Sequence, residues 1–326
     1  MILIMSKGRG SFLTTLVLLG VLAGSVAACG SEDESDGPTV TATTGSVADI
    51  TERVAGDETR VEQLIPDSAS PHDFQLSAQD RAEIEDSLLL VGNGAGLEAG
   101  IPIETIGVPK FTLSENIGGL LPAAEAGAHA EDGRELAEGE GEGAEDEEGH
   151  AEDGPDPHVW MDPTKVAAAV PALADALAEV DPEHADGYRR RAGRFAAELR
   201  RADAEISSMV DEIPPGQRRL VTSHDSMAYF AERYGFEVIA TPFSSAGPEA
   251  EASARTIDQV GQAVVSSGVP TVFAQETDDP EVLRRVAEAT GVQIEEHLLV
   301  ESPGDAGSYL EMLLRDAELI AAGLSG

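Results

Sequence analysis

Short apolar runs alternate along this chain with longer stretches whose apolar residues return every third or fourth position. Val40 to Val47 mixes Thr and Val with Gly45 and predicts a first strand and its loop; Val47 to Val54 then carries apolar residues at helical spacing. Val61 to Ile65, ended by Pro66, reads as a second strand. Ser77 to Ser87 reads as a helix with Ala78, Ala82 and Ile84 to one side. Leu88 to Val91 is a short apolar run of the kind buried in a parallel sheet. Strand, helix, strand, helix is the pattern of a doubly wound α/β domain.

The second half repeats the style. Strands are predicted at Arg219 to Thr222, Phe236 to Ala240, Thr271 to Ala274 and Val292 to Leu299. Helices are predicted at Ser226 to Tyr234, Ala252 to Ser267, Pro280 to Thr290 and Tyr309 to Leu324. Between the halves, Asp162 to Val180 is an alanine-rich helix, and Asp181-Pro182 restarts a second one with Pro in its first turn. From there to Ile213 only Gly187 and Gly193 interrupt the pattern, and Tyr188, Phe195, Leu199, Ala202, Ile206 and Met209 share one stripe. Some thirty residues at 1.5 Å rise give roughly 45 Å. Pro214-Pro215-Gly216 ends it. The expected fold is therefore α/β: two doubly wound lobes, residues 38–181 and 214–326, joined by one long rigid helix over 182–213. The halves show no sequence repeat.

Composition breaks this picture once. Ala123 to Pro157 is almost entirely Ala, Gly, Glu and Asp, with His129, His150 and a single basic residue, Arg134. Leu136 is its one bulky apolar residue, so the stretch cannot offset its own ordering entropy, and a disordered acidic loop is expected at 123–157. The whole chain has 21 Lys plus Arg against 61 Asp plus Glu, a formal charge of −40. That field repels nucleic acid, which is not expected as a partner, and anionic membrane surfaces. It attracts cations, and it also serves solubility.

The N-terminus has its own pattern. Lys7 and Arg9 precede an apolar core from Phe12 to Leu22, too short for a dependable membrane span, and small residues lead to Val26-Ala27-Ala28-Cys29. This reads as a signal peptide over 1–29 that ends in a segment resembling the bacterial lipobox, with Cys29 the lipidated residue. Met5 is an alternative start to Met1. Residues 30–37 (GSEDESDG) read as a flexible tether. Cys29 is the only cysteine, which excludes thiolate metal clusters.

Three of the seven histidines sit in unusual settings. His72 lies in Pro71-His72-Asp73-Phe74 after the second strand. His158 lies in Asp156-Pro157-His158-Val159-Trp160-Met161-Asp162-Pro163, and His224 follows a strand directly in Ser223-His224-Asp225. Ligands of open α/β sheets bind at the carboxyl ends of strands, where two of these histidines are predicted. Neutral imidazole is the commonest zinc ligand, and three histidines with a carboxylate make a closed tetrahedral set. Spacing alone leaves each of them open to an ordinary surface or core role.

Four segments together resemble the metal-binding solute-binding lipoproteins of ABC importers, the zinc/manganese family of cluster A-I. They are Thr41-Ala42-Thr43-Thr44 leading to Leu64-Ile65-Pro66 and Pro71-His72-Asp73-Phe74; the Asp156–Pro163 segment; Ser223 to Phe230; and Gly307-Ser308-Tyr309-Leu310. The resemblance implies that His72, His158 and His224 are metal ligands. It also implies a fourth, acidic ligand before the last helix, with Glu301 the first choice and Asp305 the second. His at position 224 favours Zn2+ as the cargo, with Mn2+ the alternative. Asp73 and Asp225 are candidate acceptors for orienting the rings, and Trp160 is expected to pack beneath His158. The acidic stretch, with His129 and His150, resembles the His-rich loop of zinc-type relatives, where it could gather cations; a plain solvated linker is the alternative. The implied protein is a monomer outside the cytoplasm, anchored by Cys29, delivering metal to a permease and its ATPase.

Two other functions share some of these features. A zinc hydrolase would also use three histidines, but no His-Glu-x-x-His motif occurs. A metal-binding adhesin would share the fold. Gly92-Asn93-Gly94-Ala95-Gly96-Leu97-Glu98 fails the dinucleotide spacing at Leu97 and reads as a tight strand-to-helix turn. His184 is expected to be solvated, and His297 to be structural.

Overall fold

The computed structural model describes residues 39–123, 127–128, 154–243 and 254–325. Cys29, the tether at 30–37, His129 and His150 lie outside the described residues.

The first lobe is a four-stranded parallel sheet in the order β2-β1-β3-β4. Its strands are β1 (Thr39–Ala42), β2 (Arg60–Gln63), β3 (Leu89–Gly92) and β4 (Lys110–Thr112). β3 is buried throughout, as its unbroken apolar run requires, whereas edge strand β2 is half-exposed. Helix α1 (Gly45–Ala55) starts where the Thr44 hydroxyl accepts the Val47 N–H, and it buries Val47, Ile50 and Val54. Helix α2 (Ala78–Glu85) opens with a Ser77/Asp80 capping box but buries only Ile84. Ala78 and Ala82, expected on its inner side, are exposed. β4 was not anticipated, because three residues with a lysine at one end carry no periodic signal.

The second lobe contains β6 (Arg219–Val221), β7 (Glu237–Thr241), β8 (Thr271–Gln275) and β9 (Gln293–Leu298). A two-residue strand, β5 (Gly127–Ala128), pairs antiparallel with the edge of β7. β6 pairs with β7 and β8 with β9, and a bridge between Thr222 and Phe273 joins the two pairs. The parallel order is thus β7-β6-β8-β9, which repeats β2-β1-β3-β4 of the first lobe without any sequence repeat. Helices α5 (Ala228–Tyr234), α6 (Ala254–Ser267), α7 (Glu281–Thr290) and α8 (Tyr309–Leu324) complete it.

Between the lobes run α3 (Pro163–Val180), with Asp162 as its cap, and α4 (Ala185–Val210), preceded by a 3-10 turn at Pro182–His184. Its 26 residues span about 39 Å. The stripe from Tyr188 to Ile206 is buried as expected, and Met209 beyond it is only partly covered. One core joins this stripe to Ile50, Trp160, Leu173, Val300, Tyr309 and Met312, so the start of α8 packs against the first lobe. A separate core of Val221, Ile239, Val260, Val272 and Leu283 lies wholly within the second lobe.

Candidate metal centre

Of the four residues implied by the resemblance, His72, His224 and Glu301 sit in loops that follow strands, and His158 sits at the start of a 3-10 turn. His72 lies in the turn that follows β2, after Leu64 and Ile65 extend the strand by donating to the carbonyls of Ala42 and Thr43. Phe74 packs with Ile65, Ile84 and Ile101 and anchors that turn. His158 precedes a 3-10 turn (Val159–Met161). His224 follows β6, where Ser223 donates to the Phe273 carbonyl at 2.9 Å and the Thr222 hydroxyl donates to the His224 carbonyl at 2.9 Å. Extending β6 into this loop delays α5 to Ala228, two residues later than expected. Glu301 follows β9, with its carbonyl accepting from the Ser46 hydroxyl at 3.1 Å.

The tertiary fold brings these four together. One ligand atom from each of His72, His158, His224 and Glu301 lies within 4.8 Å of the other three. The imidazole centroids are 5.1 to 5.5 Å apart. His158, His224 and Glu301 are buried. His72 Nε2, His158 Nε2, both ring nitrogens of His224 and Glu301 Oε2 have no hydrogen-bond partner. Buried polar atoms normally find partners, so convergent orphans of this kind suit a bound cation. Asp305, the other choice for the fourth position, is exposed and paired with Arg315 instead.

The residue that orients a ring is Asp156, two positions before His158 in the Asp-Pro-His segment. Its Oδ1 accepts from both the backbone N–H and Nδ1 of His158 at 2.8 Å, which turns Nε2 toward the cluster. Asp156 is fully buried; its N–H donates to Leu121, and the Tyr229 hydroxyl donates to its carbonyl. The last residues of the acidic stretch, Gly154 to Pro157, are therefore part of the packed structure. Asp73 is exposed and makes no hydrogen bond with His72. Asp225 is buried near the centre, but neither ring nitrogen of His224 has a partner. Trp160 packs against His158 with centroids 5.2 Å apart. His184 is half-exposed beside Asp181, and His297 is exposed beside Glu295.

The electrostatics distinguish the rings. Burial disfavours charge on His158, but the Asp156 carboxylate and its hydrogen bond, with Glu301, push its pKa up to about 10. Burial lowers His72, and the charge on His158 lowers it further. His224 is held well below its usual value by burial and then by His158 and His72. Burial acts to raise Glu301, but the positive charge of His158, whose Nε2 faces the carboxylate at 3.6 Å, outweighs it and keeps the carboxyl below its normal value. Asp225 is raised to about 6 by burial and by Asp156. Without metal, the centre thus holds one imidazolium beside two neutral rings and a carboxylate, a donor set suited to a divalent transition metal.

Two parallel α/β lobes, a long helix between them and a His/His/His/Glu cluster at the strand ends define a metal-binding solute-binding protein of ABC importers. The chain belongs to the family described as zinc-uptake complex component A, periplasmic, which matches residues 40–323. The iron-binding protein YfeA of Yersinia pestis is 28% identical over 326 residues, covering 97% of this chain and 96% of the relative. The manganese-binding lipoprotein MntA of Halalkalibacterium halodurans is 26% identical over 317 residues, covering 94% and 96%. Among solved structures, the laminin-binding protein of Streptococcus agalactiae superposes with a TM-score of 0.71 at 25% identity, covering 88% of this chain and all of that one. The zinc-binding protein TroA of Treponema pallidum has the same fold, with a TM-score of 0.73 at 23% identity, covering 88% and 99%. Family members are transport proteins that act outside the cytoplasm, not enzymes.

Proposed function

We propose that His72, His158, His224 and Glu301 are the ligands of the transported ion, and that this ion is zinc. The observation that carries this reading is the convergence of four donor groups whose buried atoms lack any other partner. Three imidazoles and one carboxylate match the closed tetrahedral zinc set, and imidazole-rich sites suit zinc better than the harder manganese ion. Relatives named for manganese and iron make Mn2+ the reading to test against.

His72 and His158 come from the first lobe, His224 and Glu301 from the second. The long buried helix α4 resists hinge closure, so capture and release proceed by modest tilting or loop movement. The ion passes to a permease driven by its ATPase, and the chain acts as a monomer held at the membrane by lipid on Cys29. Elemental analysis of protein purified without added metal, followed by zinc–manganese competition, tests the cargo. Zinc affinity of the His72→Ala, His158→Ala double variant tests the ligands; unchanged affinity refutes them.

A further inference from the structure

We propose that Asn93 and Glu98 are positioning residues for metal capture: they hold the Asp156–His158 segment against the first sheet so that His158 meets the other donors. The proposal rests on reading His158 as a ligand. Glu98 is buried, and its carboxylate takes three hydrogen bonds. Oε1 accepts from the Thr43 hydroxyl at 2.7 Å and the Asn93 N–H at 2.6 Å, and Oε2 accepts from the Gly94 N–H at 2.9 Å. A buried carboxylate is costly, and a fold needing only packing there would be served by an apolar residue. Here it ties the end of β1 to the end of β3.

The turn it closes is tightly wound. Gly94, Ala95 and Gly96 follow one another at φ 80°, 55° and 86°, and Ala95 is the one non-glycine residue with positive φ among the described residues. Such outliers persist where the surroundings over-determine them. A Cβ at Gly94 would strike Thr112 and Ser114, and the N–H of Ser114 donates to the Asn93 carbonyl at 2.9 Å. Clamped on both sides, Asn93 directs Nδ2 at the Pro157 carbonyl, 2.7 Å away and one residue before His158.

Neighbouring Asp156 donates its N–H to the Leu121 carbonyl and accepts at its own carbonyl from the hydroxyl of Tyr229 of the second lobe. Among the described residues, Asn93 is the side chain at the strand ends of the first sheet that hydrogen-bonds the His158 segment. The same sheet carries His72, because the Thr43 carbonyl accepts from Ile65 while the Thr43 hydroxyl binds Glu98. Glu98 and Asn93 together set the separation of the two first-lobe histidines.

A double-mutant cycle between Asn93→Ala and His158→Ala tests this, read as Zn2+ affinity by chelator competition and as the d–d spectrum of bound Co2+. Asn93→Ala is expected to weaken Zn2+ binding about ten- to hundredfold and to alter the Co2+ spectrum. In the His158→Ala background it should produce no further loss. Equal losses in both backgrounds, or none in the natural chain, overturn the proposal. His158→Ala binding as tightly as the natural protein takes down the site reading as well, which separates the two failures. Should Asn93→Ala fail to fold by circular dichroism, Glu98→Gln carries the same cycle. It keeps shape and one acceptor oxygen while leaving Gly94 facing an amide; its loss should be smaller and again absent without His158. An equal loss in both backgrounds overturns the proposal there too.

Discussion

Trp160 donates its indole N–H to the carbonyl of Val300 at 2.7 Å, joining the segment that carries His158 to the segment that carries Glu301. The Tyr309 hydroxyl donates back to the Trp160 carbonyl, and the Ser46 hydroxyl donates to that of Glu301. Glu301 follows a strand of the second lobe, yet its backbone is fastened to the first.

Trp160→Phe should expose the consequence. It leaves the Val300 carbonyl without its donor in a buried setting, a penalty of about 1–3 kcal/mol, with a cavity added. Thermal unfolding of the metal-free protein should shift down, and metal affinity should fall with it. Stability lost with affinity untouched would show that this link does not set the position of Glu301.

Metal capture should release a proton. His158, raised to about 10, is charged in the metal-free protein at neutral pH, whereas His72 and His224 are lowered and neutral. Titration calorimetry at pH 8 in buffers of differing ionisation enthalpy should report about one proton released per ion bound. Competition from that proton extends well above 6.5, the value that three ordinary imidazoles would suggest. Release near zero would contradict the pairing of His158 with Asp156.

The same values shape metal-free stability. His158 has a folded pKa above the unfolded one near 6.5, so its contribution is complete below about 6.5 and disappears as pH rises through about 10. His72 and His224 act in the opposite sense. Their folded values are depressed, so the unfolded chain binds protons first and stability falls as pH drops below about 6.5. His224→Gln should flatten the acid side of a melting-temperature profile, and an unchanged acid side would contradict the assignment.

Gly100→Ala should weaken metal binding from outside the cluster. A Cβ there would fall on the Phe74 carbonyl, two residues from His72, and crowd Gln75. Backbone must shift to relieve that overlap, and it carries the His72 turn with it. We expect at least a tenfold loss of affinity, of the order seen when support for a ligand is removed. Full affinity in a folded variant would show that the turn absorbs the strain elsewhere.

Glu301→Gln separates charge from shape. The amide keeps the volume but withdraws the negative charge facing His158 Nε2 at 3.6 Å. Divalent-metal affinity should fall by more than about a hundredfold, beyond what an outer partner costs. Asp305→Asn, at an exposed position paired with Arg315, should leave it unchanged.

Much was legible before folding because it is local. Buried strands such as Leu89–Gly92 must be continuous apolar runs, and the stripe from Tyr188 to Ile206 is a consequence of 3.6-residue periodicity. The Asp-Pro-His segment exposed His158 through resemblance, and the carboxylate two residues ahead was the available sign of Asp156. Lys110–Thr112 and Gly127–Ala128 were not readable, since strands of three and two residues exist only by pairing with longer neighbours.

Sequence alone therefore determined the alternation of elements, the lobes' class and the residue types offered to a cation. Tertiary structure decided the rest: the repeated strand order, the placement of Glu301 beside the three histidines and of Asp305 beside Arg315, and the fastening of the Glu301 loop to the first lobe. Periodicity is a property of neighbouring residues. The meeting of His72, His158, His224 and Glu301 depends on how two sheets and a long helix pack, and that packing places their donor atoms within reach of one ion.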